Sequence, residues 1–466
     1  MKRTVFYLPL LTLLTMALAP STSGCPQQQT ASWKAGVAKV DITPRGPIWM
    51  AGYAARDHPS EGIRHPIWAK ALFLEDAEGK SAVLVTSDLI GFRQELSRRI
   101  RDRLTKQYGL SRDQVILNSS HTHTGPETDN SRYKFQLDAG ELDKIENYAR
   151  ALEDQIVELV GQAQRSMEPV NLYAQNGVTR FQVNRRNNKE ATLIHQVELK
   201  GPNDYAVPVL KVETLDGKMK AVVFGYACHP TVLPDYQISG DYVGFAQIEL
   251  EKVYPGTMAM FFQGAGGDQN PLPRRSVALA QQYGKELTAA VERVIHEDMP
   301  KLEGKLTTAY SEIDLTFAKP SPSRDELVAI TGPQSEYPEY LKENAKVLID
   351  KLDKGETLIT SYPYPVQVWK LGSLPVFSLG GELLTGYAIA FKKIFGHEIF
   401  VMGYSNDVMA YIPTLKVLEE GGYEGSRSPI FTTPWAPDIE DRIIAEVVKL
   451  AKEAGIQPAE GPVTDR

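Results

Sequence analysis

The sequence predicts a mixed α/β (α+β) fold: a single large domain with a mixed β-sheet core flanked by helices. Three observations carry this. Apolar runs such as Val115-Ile116-Leu117 and AVLVTSDLI at 82–90 have the length and β-branched content of strands. Stretches with 3.6-residue periodicity, the longest over 140–166, read as amphipathic helices. The two kinds of segment do not alternate strictly, which favours a mixed sheet over a purely parallel one.

In chain order, residues 35–42 (AGVAKVDI) alternate like a strand and stop at Thr43-Pro44. Residues 69–75 and 82–90 form a strand pair around the turn Glu78-Gly79-Lys80. Helical periodicity over 93–108 leads to a strand at 113–117, and the long helix at 140–166 follows. Strands are then predicted around 170–178, 193–200, 208–214 and 219–227, with the turn Asp216-Gly217 before the last. Further strands fit 257–263, 305–316, 365–370 and 374–379, and helices fit 273–297, 324–331, 338–353, 383–395 and 438–454. The segment from Pro320-Ser321-Pro322 to about 362 reads as a helical insertion.

With 466 residues, 42% hydrophobic and 23% charged, the chain can bury a substantial core. A formal charge of −7 and the lack of a long basic stretch argue against nucleic acid as a partner. At the N-terminus, Lys2 and Arg3 precede the apolar FYLPLLTLLTMALA, the layout of a bacterial export signal over residues 1–25. Ala17-Leu18-Ala19 offers a small-x-small cleavage site but is followed by Pro20. Thr22-Ser23-Gly24-Cys25 resembles a lipoprotein box, so membrane attachment through a lipidated Cys25 competes with simple secretion. Residues 26–34 then form a linker, and the expected location is the periplasm, cell envelope or exterior. With Cys25 lipidated, Cys228 has no intramolecular disulfide partner.

Candidate chemistry gathers where strands give way to loops. NSSHTHTGP at 118–126 follows an apolar strand, and its i, i+2 spacing lets His121 and His123 face one side of an extended segment. Ligands, acid–base groups and solvated loop histidines are all compatible with that spacing. His229 also follows an apolar strand and precedes a proline. In FFQGAGGDQNP, residues 261–271, Gly264, Gly266 and Gly267 would let backbone N–H groups face an anion, or else form a tight turn capped by Asp268 or Asn270. Glu382 follows two glycines in SLGGELLTGY, and Tyr411 ends the run from Gly403 to Tyr411 in GYSNDVMAYIPT. Histidines and a carboxylate at the C-terminal ends of strands suit a zinc site with an open position. The spacing lacks the HExxH signature, so such ligands would have to meet through the fold.

In combination, Thr122-His123-Thr124-Gly125-Pro126 after His121, His229-Pro230, Gly381-Glu382 and Asn406-x-x-x-x-Tyr411 resemble motifs of the neutral/alkaline (non-lysosomal) ceramidase family. The run GVAKVDITPRGPIWMAGYA at 36–54 resembles that family's opening. The resemblance implies one zinc per chain, held by His121, His229, Glu382 and Tyr411. It also implies that His123 is a catalytic group beside the metal, with Arg185 and Tyr423 near the scissile amide. The implied reaction is hydrolysis of ceramide or a related N-acyl lipid by zinc-activated water. Two departures stand out. Asn270 occupies the place of a family serine and has no hydroxyl for an acyl-enzyme. Residues 35–466 are expected to form the catalytic domain without the family's C-terminal immunoglobulin-like domain. Other readings are a zinc hydrolase of a different amide or ester, and a non-catalytic metal-bearing binding protein.

Overall fold

The computed structural model describes residues 1–2, 4–5, 33–426 and 428–459. The chain falls into two units, Met1–Thr30 and Ala31–Arg466. The apolar leader, both candidate cleavage sites and Cys25 lie outside the described residues. Every helix and strand among the described residues belongs to the second unit.

Side-chain alternation decides the layering. Leu72 and Leu74 point to one side of their strand while Ala69, Ala71 and Phe73 point to the other, and Ala82 and Leu84 split from Val83 and Val85 in the same way. Both faces of the sheet are apolar, so both have to be covered. The large sheet contains β1 (Trp33–Asp41), β2 (Trp68–Asp76), β3 (Ser81–Ser87), β4 (Val115–Ser119), β5 (Glu168–Val178), β6 (Ala206–Thr214), β7 (Met219–Tyr226) and β8 (Met258–Gln263). Their order across the sheet is β8-β7-β6-β5-β1-β2-β3-β4, with parallel pairing only in the outermost pairs β8–β7 and β4–β3. A smaller sheet holds β9 (Leu306–Thr316), β10 (Ser361–Leu371), β11 (Leu374–Leu379) and β12 (Phe400–Met402), paired in that order.

The two sheets pack face to face, with Leu72, Leu84, Val223 and Met260 meeting Trp369, Val376 and Phe400. Helices α1 (Gln94–Tyr108), α2 (Ala139–Arg165), α3 (Asp241–Val253) and α4 (Val277–Ile295) cover the outer face of the large sheet. The helical insertion between β9 and β10 is α5 (Arg324–Thr331) with α6 (Glu339–Asp353), which share a small core around Leu327 and Ala345. Helices α7 (Thr385–Phe395) and α8 (Ile439–Glu453) cover the small sheet. Among the described residues, no helix is long and apolar enough to cross a membrane.

Three of the longer elements differ from expectation. Residues 193–200 are not a strand: a 3-10 turn at Glu190–His195 leads into irregular chain, with Ile194 85% and Val197 99% exposed. The alternating pattern is present there, but no neighbouring strand or core receives its apolar side, and Asn188 pins the loop by bonding Lys200 N and O instead. Helix α3 has no counterpart in the predicted elements. Its buried residues include Asp241, Tyr242, Val243, Gly244, Ala246, Gln247 and Leu250, so it lacks the polar face on which periodicity depends. The helix predicted from 273 starts later, at Val277, where Ser276 Oγ accepts from Leu279 N at 3.2 Å.

Candidate metal centre and its cavity

Edge strand β4 delivers the first histidine. Asn118, near its end, is fully buried, accepts from Gln263 N of β8 (2.9 Å), and donates to Gly403 O (2.8 Å) and Ser405 Oγ (3.0 Å). One side chain thus ties the two edges of the large sheet to the loop after β12. The chain then turns through His121 in a left-handed conformation (φ 64°), a geometry that costs a non-glycine residue about 1–3 kcal/mol and persists only where surroundings enforce it. His229 follows β7, and Glu382 follows β11 after two glycines. Glu382 and Tyr411 are paired directly in a two-residue parallel ladder. The strand-end placement therefore describes His121, His229 and Glu382, whereas Tyr411 opens a short strand of its own.

His121 Nδ1 donates to Ile90 O (2.6 Å) and His229 Nδ1 donates to Gly266 O (2.7 Å). Carbonyl oxygens accept only, so each Nδ1 carries a proton, and in the neutral tautomer of either ring the lone pair sits on Nε2. Both Nε2 atoms face one carboxylate oxygen, Glu382 Oε2, at 3.2 and 3.1 Å. Burial, with Arg185 beside it, lowers His229 to about 4, which keeps the ring neutral at ordinary pH. Two neutral lone pairs aimed at a carboxylate repel unless a cation lies among them. Imidazole nitrogens oriented by backbone carbonyls and joined by a carboxylate are a donor set that fits a zinc-like ion.

His123 differs from the other two. Its ring nitrogens are buried and make no hydrogen bond, although the ligand atoms of His121, His123 and His229 lie within 4.8 Å of one another. Burial, then His121 and His229, hold its pKa well below the ordinary value. The ring packs on Gly52 (φ 95°), where an added Cβ would sit 2.6 Å from His123 Cγ.

Arg185 is fully engaged. Its Nε donates to Glu424 (2.7 Å), Nη1 to Asn270 Oδ1 (3.2 Å) and Nη2 to the Tyr411 hydroxyl (3.0 Å). The guanidinium therefore braces three separate segments. Burial and Glu382 push the Tyr411 phenol well up, and Arg185 opposes them. Tyr423 is 56% exposed and packs edge-on against Tyr411 at 5.4 Å. Asn270 lies in a three-residue strand, Gln269–Pro271, paired antiparallel with 182–184.

The glycine loop is not an anion cradle. Gly264 N, Gly266 N and Gly267 N donate to Tyr226 O, Gly264 O and Leu383 O. Asp268 instead caps α7 from a distance, accepting from Thr385 N (2.9 Å) and Thr385 Oγ (2.7 Å). Two residues of the site went unassigned in the sequence. Glu424 follows Tyr423, is buried, and also pairs with Arg186 at 2.8 Å. Tyr404 is buried at φ 52° with its ring 4.5 Å from His121 and its hydroxyl unpartnered. Its position inside GYSNDVMAYIPT was the only available signal.

His121, His123, Glu382, Tyr411 and Tyr423 line a cavity of about 520 Å³ that reaches α6. The whole is a mixed α/β protein with a histidine and carboxylate cluster that could hold a metal ion beside this cavity. Residues 33–305 match the family model described as neutral/alkaline non-lysosomal ceramidase, N-terminal, and the chain belongs to that family. The matched segment holds His121, His123, Arg185, His229 and Asn270, while Glu382, Tyr411 and Tyr423 lie beyond it. Neutral ceramidase A of Dictyostelium discoideum is 27% identical over 266 residues, 52% of this chain and 36% of that protein. Neutral ceramidase of Pseudomonas aeruginosa is 26% identical over 288 residues, 58% of this chain and 41% of that protein. The match thus spans well under half the length of these relatives. The crystal structure of neutral ceramidase from Pseudomonas aeruginosa shares the fold, with TM-score 0.71 at 20% identity over 93% of this chain and 76% of that one.

Proposed function

We propose that this protein is an exported zinc-dependent hydrolase that cleaves an N-acyl amide bond, with ceramide or a related N-acyl lipid as substrate. The observation that carries it is the meeting of His121 Nε2, His229 Nε2 and Glu382 Oε2, with His121 and Glu382 lining the cavity. Family membership and the names of the relatives support the reaction class.

His121, His229, Glu382 and Tyr411 would hold the ion. When bound, zinc would polarise the acyl carbonyl and bring the pKa of a water to about 7. The protein's own groups then divide the remaining work. The carbonyls of Ile90 and Gly266 keep the two ligand rings in one tautomer. Arg185 donates to Tyr411 and favours charge on its oxygen. His123, neutral and without a partner, can take up a proton and return it to the leaving nitrogen. Tyr423 at the cavity wall can donate to the developing oxyanion. Asn270 supplies no nucleophile, so water attacks the carbonyl directly. We also assign an export signal to residues 1–25, with Cys25 as the lipid attachment point.

Purified protein should contain close to one zinc per chain and release fatty acid from a panel of N-acyl lipids, N-acyl amino acids and esters. His121→Ala should lose the metal. His123→Ala should keep it and slow by roughly 10²–10⁴-fold. Intact mass during turnover should show no acyl adduct. Active protein free of metal would end this reading, and cleavage of esters alone would move it to a different bond.

A further inference from the structure

The walls of the cavity carry an imbalance of charge that the hydrolytic floor does not explain. Its carboxylates are already engaged. Glu127 accepts from Thr128 N, Asp129 N and the Tyr133 hydroxyl, and Glu343 pairs with Lys346. Glu382 faces the two histidines.

The cations on the same walls are not matched in this way. Arg93, Arg132 and Lys351 line the cavity, and among the described residues none has a carboxylate within salt-bridge reach. Arg93 donates to the backbone oxygen of Val408. Arg132 has Glu127, Asp129 and Glu382 only as longer-range neighbours, and Asp129 is occupied in capping Ser131. These positive groups line one cavity in a chain of net charge −7. They come from three separate places: the start of α1, the turn at 130–133, and α6 of the insertion. Val347, Leu348 and Met409 give the same cavity an apolar wall suited to an acyl chain.

We propose that the cavity selects N-acyl compounds whose amine-derived part carries an anion, such as a carboxylate, sulfonate or phosphate, and that Arg93, Arg132 and Lys351 hold it. The proposal rests on the hydrolase reading for the reaction: water adds across the amide, the C–N bond breaks, the acyl carbon gains the hydroxyl, and the nitrogen gains the proton. It departs from a neutral sphingoid substrate in the half that leaves. A guanidinium can grip such an anion with two parallel N–H donors, while a neutral hydroxyl of the same size offers less.

The test compares N-dodecanoylglycine with N-dodecanoylglycinamide, which differ in one charge. The zinc-loaded enzyme should favour the glycine compound in kcat/KM by about tenfold or more, the scale of one charge-assisted hydrogen bond. Arg132→Ala/Lys351→Ala should abolish that preference, bringing the kcat/KM values for the two compounds to within about twofold of each other. Dissociation constants on His123→Ala protein, measured by titration calorimetry, read the same preference without turnover. Selective binding of the acylglycine with no hydrolysis of either compound would sink the hydrolase reading and leave the anion site standing. Equal dissociation constants for the two compounds, binding of neither, or a preference that survives the double variant would overturn the anion site.

Discussion

At the scale of single residues, the site is governed by which polar atoms are satisfied. His121 and His229 each commit Nδ1 to a backbone carbonyl, and His123 commits neither nitrogen. The spacing in NSSHTHTGP could not reveal this, because Ile90 O and Gly266 O come from segments 31 and 37 residues away. The residue types were legible, and their division of labour was not. Gly52 offers a test that leaves every donor in place. A methyl there would meet His123 Cγ at 2.6 Å, in a backbone conformation (φ 95°) that side chains rarely adopt. Gly52→Ala should keep its zinc yet slow hydrolysis by at least about 10²-fold, the cost of misplacing one catalytic group. A normal rate with bound metal would show that the position of the His123 ring does not matter.

Among the elements, long strands with a partner to receive the alternating face were legible, as in β2 and β3, while the three-residue β12 was not. Residues 193–200 alternate equally well but meet solvent, and α3 is buried too evenly to show a polar face. Pattern reports what a segment could bury, and only the assembled fold decides whether anything is there to bury it against. The same limit hid Asn118, which reads as the polar start of a loop and is in fact the bolt between edge strands β4 and β8 and the loop carrying Tyr404. Asn118→Ala strands the Gln263 N–H in a dry interior and leaves the Gly403 carbonyl with the Ser405 hydroxyl as its donor. The unfolding free energy should fall by about 2–4 kcal/mol, combining one unmet backbone N–H with a lost network. Urea titration would check it, and a loss below about 1 kcal/mol would mean that water replaces the side chain.

For the molecule as a whole, buried acids set part of the response to pH. Asp241 opens α3, accepts from Leu233 N (2.8 Å) and Tyr242 N (2.6 Å), and is raised by burial to about 7. The folded state therefore holds this proton more tightly than the unfolded chain does. Its contribution is complete below the ordinary carboxyl pKa of about 4 and is lost as pH rises through about 7. Other groups oppose the trend, His229 among them, since its lowered pKa favours the folded state at higher pH. The difference between wild type and Asp241→Asn isolates the effect of this one carboxyl. Whatever constant offset the substitution adds, the advantage of wild type should shrink between about pH 4 and pH 7, by on the order of a few kcal/mol. A difference in Tm that stays flat across that range would show that the carboxyl titrates normally.

The insertion has a consequence for how this chain can change. Thr316 and Ser361 face each other at the open end of the β9–β10 ladder, so α5 and α6 leave and rejoin the fold at neighbouring points. Those helices share a small core and α6 supplies one wall of the cavity, while every residue assigned to the metal lies outside 317–360. On the proposed function, reaction and selectivity are therefore partly separable in the polypeptide. Replacing the hairpin tip by another of different length or charge would redraw what can enter while the chemistry below keeps its supports. A lineage, or an engineer, could change the diet of such an enzyme without having to rebuild its teeth.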